Sequence, residues 1–164
     1  MDCDIERATE TDIPVILELM REFAEYEKLS AYFEITETKL REAMFGKNAF
    51  VEGLIARDGD GGAGYAIFYP NFSTFRGQKG FFLEDLYISE KYRGTGLGKL
   101  MLREIAVLAR SRGFERMDFH VLDWNRSAIG FYERFGAVGG DDERYFKLTD
   151  EAFARLAGDS TIRG

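Results

Sequence analysis

Arg93-Gly94-Thr95-Gly96-Leu97-Gly98-Lys99 sets three alternating glycines between two cations. Glycines let backbone N–H groups approach a ligand closely, and a helix starting there adds the partial positive charge of its N-terminus. The chemistry this turn suits is the binding of a phosphate or pyrophosphate. Two common phosphate motifs fail on spacing. A P-loop needs G-x-x-x-x-G-K-[ST], but Arg93 stands at the first glycine and Leu100 at the magnesium-binding hydroxyl. A dinucleotide fingerprint needs G-x-G-x-x-G near the start of its domain, and here the spacing is G-x-G-x-G past the midpoint of the chain. Just upstream, Glu84 and Asp85 interrupt the apolar and aromatic run Phe81–Ile88. Burying a charge is costly unless it has partners or a task. Glu84 therefore reads either as half of a structural ion pair or as a functional carboxylate.

The elements that position these residues follow from periodicity. Phe81–Ile88 suits a central strand covered on both faces. Leu97, Leu100, Met101, Ile105, Leu108 and Ala109 recur at helical spacing, and Gly113 stops that helix. Upstream, Asp2–Ala8 reads as a short strand. Thr11 is the expected cap of a helix with Pro14 in its first turn and Ile13, Ile16, Leu17, Met20 and Phe23 on one face. A second helix runs from Thr36 to near Gly46. Phe50–Arg57 and Gly64–Phe72 are strands joined by the turn Asp58-Gly59-Asp60-Gly61-Gly62. Downstream, Arg116–Leu122 alternates as a strand, Asn125 caps a helix stopped by Gly136, Arg144–Leu148 reads as a last strand, and a C-terminal helix and tail come after it. The fold class is α/β (α+β): a mixed, mostly antiparallel central sheet flanked by helices. The expectation is a single domain over 1–164, with its core in about 5–148 and the C-terminal helix and tail in 149–164.

Composition narrows the function. A formal charge of −7 disfavours nucleic acid, whose binding needs cationic neutralisation, and suits a cationic ligand. One cysteine (Cys3) and one histidine (His120) exclude a disulfide framework and make a metal site an unfavoured reading. No run of eighteen apolar residues occurs and the N-terminus is acidic, so the expectation is a soluble, cytoplasmic protein with no membrane partner.

The pattern Arg93-x-x-Gly96-x-Gly98 resembles the acyl-CoA pyrophosphate loop of the GNAT superfamily of N-acetyltransferases. Trp124-Asn125-x-x-Ala128-x-x-Phe131-Tyr132-x-x-x-Gly136-Ala137 is similar to the second signature of that superfamily. Ala24-Glu25-Tyr26-Glu27 and Leu83-Glu84-Asp85 further resemble its diamine acetyltransferase branch, which includes spermidine/spermine and thialysine acetyltransferases. The similarity runs from about Ile5 to Lys147. The resemblance implies the GNAT fold, acetyl-CoA as co-substrate without a metal, and direct transfer of acetyl to a primary amine of a small polyamine or lysine-like substrate. It also implies a homodimer. Under it, Leu86, Tyr87 and Ile88 hold the pantetheine and Arg93, Gly94, Thr95, Gly96, Leu97, Gly98 and Lys99 hold the pyrophosphate. Asn125 and Ser127 touch the cofactor further along. Tyr132 protonates the departing thiolate, although by spacing alone it reads as a core tyrosine. Tyr26, Glu27, Glu84, Asp85, Asp118 and an acidic residue at Asp141 or Asp142, with Asp142 preferred, receive the amine. By residue type alone Tyr26 and Glu27 equally suit a helix end, and Asp141–Glu143 a solvated turn. Asp118 and Glu143 depart from the branch, which often has histidine and an aromatic residue there.

The chemistry fits these residue types. A free amine with a pKa of about 10.4 is mostly protonated at neutral pH and must lose a proton before it attacks a thioester. Glu84, directly or through water, is the expected base, because a carboxylate in an apolar strand has its pKa raised. A bulge in the central strand would expose a backbone N–H for the oxyanion. The same cofactor with a protein lysine or N-terminus as acceptor, or a non-catalytic acetyl-CoA-binding module, are the alternative readings.

Overall fold

The computed structural model describes residues 3–59 and 61–158. Asp2 of the expected first strand, Asp60 of the hairpin turn and the tail 159–164 lie outside the described residues. The chain divides into two compact units, Met1–His120 and Val121–Gly164.

In the first unit, β1 (Asp4–Arg7), β2 (Glu52–Asp58), β3 (Gly61–Ser73), β4 (Gln78–Ile88) and β5 (Arg116–Asp118) form one sheet in that order. The first four pair antiparallel, and β5 adds parallel to β4. Helices α1 (Ile13–Tyr26), α2 (Glu37–Phe45) and α3 (Leu97–Ser111) complete the unit. This is the mixed, mostly antiparallel sheet with helices that the sequence predicts.

One apolar stripe of α1 (Ile13, Ile16, Leu17) and Leu40 and Met44 of α2 bury against Ile55, Tyr65, Ile67 and Tyr87 on one face of the sheet. Met101 and Ile105 of α3 are buried with Phe68, Phe81 and Leu83 of the other face. The start of α1 differs from expectation: Asp12 rather than Thr11 precedes it. Asp12 accepts from the Thr9 N–H at 2.7 Å and pairs with Arg57 of β2, so one carboxylate ties the 3-10 turn Glu10–Asp12 before the helix to the sheet. Thr36 caps α2 as expected, accepting from the Lys39 N–H at 3.2 Å.

A bulge in β4 decides which face each of its side chains reaches. Ile67 pairs with Asp85 and the next residue, Phe68, pairs with Leu83, so Glu84 has no partner in β3. In a regular strand Phe81, Leu83, Asp85 and Tyr87 would share a face. Instead Phe81 packs edge-on to Phe68 at 4.7 Å and to Phe114 at 5.0 Å, whereas Tyr87 stacks on Phe23 of α1 at 5.2 Å in the other core. One extra residue reverses the alternation. Pairing of β4 with β5 covers only Gly80–Phe82. A bulge bends its strand, which accounts for β5 ending at Asp118 instead of running to Leu122.

The second unit holds α4 (Arg126–Glu133) and α5 (Asp150–Gly158). Asn125 Oδ1 caps α4 as expected, accepting from the Ala128 N–H at 3.1 Å. The strand expected over Arg144–Leu148 does not form. A strand needs a neighbouring ladder, and among its described residues this unit offers only helices and turns.

Candidate active site

The bulge turns two consecutive carboxylates onto the face covered by α1. The Tyr69 hydroxyl donates to Glu84 Oε2 at 3.1 Å, and the Tyr65 hydroxyl donates to Asp85 Oδ2 at 2.9 Å. Tyr65 and Tyr69 alternate regularly on β3, so both carboxylates answer to the same row of tyrosines. Glu84 is exposed and Asp85 partly buried. Burial, helped by the charges of Glu84 and Glu27 and opposed by the Tyr65 hydrogen bond, raises the Asp85 carboxyl to about 7. Glu27, at the C-terminal end of α1, is also raised by burial. Asp85 therefore senses the charges of two other expected acceptor residues, Glu27 and Glu84. Such a cluster can hold an ammonium group or take up a proton near neutrality.

Beside it, an open cleft of about 710 Å³ is lined by Glu22, Glu25, Tyr26, Tyr87, Ser89 and Arg93. Tyr87 donates to Glu22 at 3.3 Å. The Arg93 guanidinium lies 4.4 Å from the centre of the Tyr26 ring and 5.5 Å from that of Tyr87, and its Nε donates to the Ile88 carbonyl at 3.0 Å. Arg93 thus links the glycine turn to the end of α1. Leu86, Tyr87 and Ile88 lie on β4 beyond its pairing with β5. Among the described residues no strand covers that side of β4 there, so its backbone groups can pair with an extended ligand.

The glycine turn is held from below. The buried Tyr92 donates to Asp58 at 3.0 Å, and Thr95 Oγ1 donates to the Tyr92 carbonyl at 2.7 Å. Gly94 and Gly96 have φ of +75° and +89°, the left-handed region that favours glycine. A Cβ at either would meet nothing within 4 Å, so the space over the turn is open. Gly96 starts α3 without a side-chain cap, and Leu97, Gly98 and Lys99 form its first turn. Free amides at a helix start of this kind can receive an anion.

Asp118 accepts from Arg116 at 2.7 and 2.8 Å and from Asn71 at 2.8 Å, and the Arg116 hydrogen bonds hold its carboxyl below its ordinary range. In the second unit, Asn125 is buried and engaged in its cap, Ser127 is exposed in the first turn of α4, and Asp142 is exposed in a turn. Tyr132 is partly buried on α4, its ring 5.0 Å from that of Phe131. Sequence reasoning missed Tyr65 and Tyr69, which read as strand aromatics, and Glu22, which reads as a helix surface residue. Once a bulge is placed at Glu84, strand register brings both tyrosines to the carboxylates. Among the described residues no cluster of His, Cys, Asp or Glu is arranged to hold a metal, and no helix is long and apolar enough to cross a membrane.

The sequence profile of the acetyltransferase (GNAT) family matches residues 14–137. The chain belongs to that family. This GNAT protein is 36% identical to the thialysine N-epsilon-acetyltransferase of Bos taurus, over 94% of this chain and 96% of that one. It is 30% identical to L-ornithine N5-acetyltransferase NATA1 of Arabidopsis thaliana, over 93% of this chain and 86% of that one. It is an N-acetyltransferase. Among solved structures, an integron cassette protein from the mobile metagenome of V. cholerae shares the fold, with a TM-score of 0.80 at 21% identity over 97% of this chain and 99% of that one.

Proposed function

We propose that the protein transfers acetyl from acetyl-CoA to a primary amine of a small lysine-like or polyamine substrate, by direct attack. One observation carries this reading: β4 presents the paired carboxylates at its bulge and leads, through one short 3-10 turn at Glu90–Tyr92, to the open, uncapped glycine turn. An amine site and an anionic-carrier site thereby share one strand. Relatives named for thialysine and ornithine, both amino acids with a side-chain amine, support the small-amine acceptor.

Acetyl-CoA, when bound, supplies an acyl group activated as a thioester. Gly94, Gly96 and the first-turn amides of α3 hold its pyrophosphate, with Arg93 and Lys99 adding charge. The open edge of β4 at Leu86–Ile88 orients the pantetheine through backbone hydrogen bonds. Glu27, Glu84 and Asp85 attract the cationic amine, and Glu84, exposed at the bulge, receives its proton directly or through water. The bulge leaves a backbone N–H out of the ladder, available to donate to the acyl oxygen. Tyr132 protonates the departing sulfur.

The test is thiol release from acetyl-CoA across thialysine, lysine, ornithine, putrescine, spermidine, spermine and a lysine peptide. Saturable turnover of one small amine is the expected result. Turnover of the peptide alone would replace the acceptor with a protein, and acetyl-CoA binding with no turnover of any amine would leave only a carrier-binding role.

A further inference from the structure

We propose that Tyr65 is the positioning residue of the amine site: its buried hydroxyl fixes Asp85 as an ionised anchor for the substrate's ammonium group. The proposal rests on the amine-acetylating reading above and adds a residue to it.

Tyr65 is fully buried, its ring packed against Phe23 at 6.5 Å and Tyr87 at 6.3 Å. That packing holds the ring in place and directs its O–H toward Asp85. In the ladder Tyr65 opposes Tyr87 and Ile67 opposes Asp85, which makes Tyr65 the diagonal neighbour of Asp85. The two meet only because the bulge brings Asp85 onto the α1 face. A buried phenol left without an acceptor, or a carboxylate enclosed without a donor, would each be costly, and the 2.9 Å bond satisfies both.

The other groups facing Asp85 are anionic or neutral. They are Glu84 on its own strand and Glu27 at the end of α1; farther out, Tyr87 engages both Glu22 and the Arg93 guanidinium. Two carboxylates disfavour a third charge beside them, so Tyr65 is the neighbour that favours the charged form of Asp85. Burial and the Asp85 charge in turn hold the Tyr65 phenol well above its ordinary range, so it stays a donor across the working pH. An approaching ammonium group then meets a carboxylate that is oriented, and more often charged than the acidic cluster alone would leave it.

Tyr65→Phe removes the hydroxyl and keeps the ring. The pH profile of kcat/KM for thialysine should shift its acid limb upward by about one pH unit, the size of one hydrogen bond to a charged group. KM at pH 7 should rise about fivefold, kcat at saturation should hold, and the two enzymes should converge above that limb. A profile superposable on the wild type, or a loss equal at every pH, would overturn the proposal. The ¹³C carboxyl resonance of Asp85, assigned by its absence in Asp85→Asn, reports the same shift directly and does so even if no amine is turned over. A midpoint unchanged by Tyr65→Phe would overturn the proposal without touching the acetyltransferase reading. If Tyr65→Phe fails to fold, the tyrosine ¹³Cζ resonance of Tyr65 in the wild type should titrate with the Asp85 midpoint. A flat response there would also overturn it.

Discussion

At the scale of single residues, Asp85 should leave a mark on stability as well as on binding. Its carboxyl is raised from 3.8 to about 7 in the folded chain, so folding favours its protonated form. Its contribution is fully present below the unfolded value and is lost as pH climbs through the folded one. The window runs from about pH 4 to about pH 7, and the total is at most on the order of 4 kcal/mol. Asp85→Asn should remove that slope: chemical denaturation at pH 5 and pH 8 should show the variant gaining on the wild type as pH rises. Tyr132 makes a different prediction, since its hydroxyl is proposed to act only as the thiolate leaves. Tyr132→Phe should keep acetyl-CoA affinity while lowering turnover by roughly 10²–10⁴-fold. Isothermal titration beside steady-state kinetics separates the two, and unchanged turnover would remove Tyr132 from the mechanism.

At the scale of elements, the glycine turn and α3 were legible because their signals are local. Glycine spacing, flanking cations and helical periodicity all lie within one stretch, and the structure places the left-handed residues at Gly94 and Gly96. The bulge was anticipated as a chemical need, but its register was not. A bulge depends on cross-strand pairing, and Glu84-Asp85 alone does not say which residue falls out of the ladder. The same gap hid Tyr65 and Tyr69, whose spacing matches any half-buried strand. The expected strand over Arg144–Leu148 failed for a related reason: a segment's own residues report that it could be a strand, not that a ladder is there to receive it. The glycine turn yields the prediction for this scale. Gly96→Ala forces a Cβ into the left-handed region at about 1–2 kcal/mol. With open space around it, the penalty is conformational rather than steric. Thermal melts should fall accordingly, and acetyl-CoA affinity should weaken by about tenfold as the turn relaxes away from the geometry that aims its amides.

At the scale of the whole molecule, a formal charge of −7 acts on both reactants in opposite directions. Under the proposed function it would draw a cationic amine toward the acidic cluster and oppose an anionic carrier away from the basic turn. Raising ionic strength from about 0.01 M to 0.1 M shortens the screening length from about 30 Å to about 10 Å. KM for a diamine should rise by about 3- to 10-fold over that range, with a smaller change for a monoamine; identical salt responses would mean that the net charge does not steer the substrate. The bulge in β4 has a consequence at this scale too. It works like a frameshift in a text read two letters at a time: upstream of Glu84 the odd-numbered side chains spell the core beneath α3, and downstream they spell the core beneath α1. Substitutions on either side can drift independently. Deletion of either Glu84 or Asp85, though, would put Tyr87 out of phase with the core it packs in. That length, more than the identity of either carboxylate, is what the two cores hold in common.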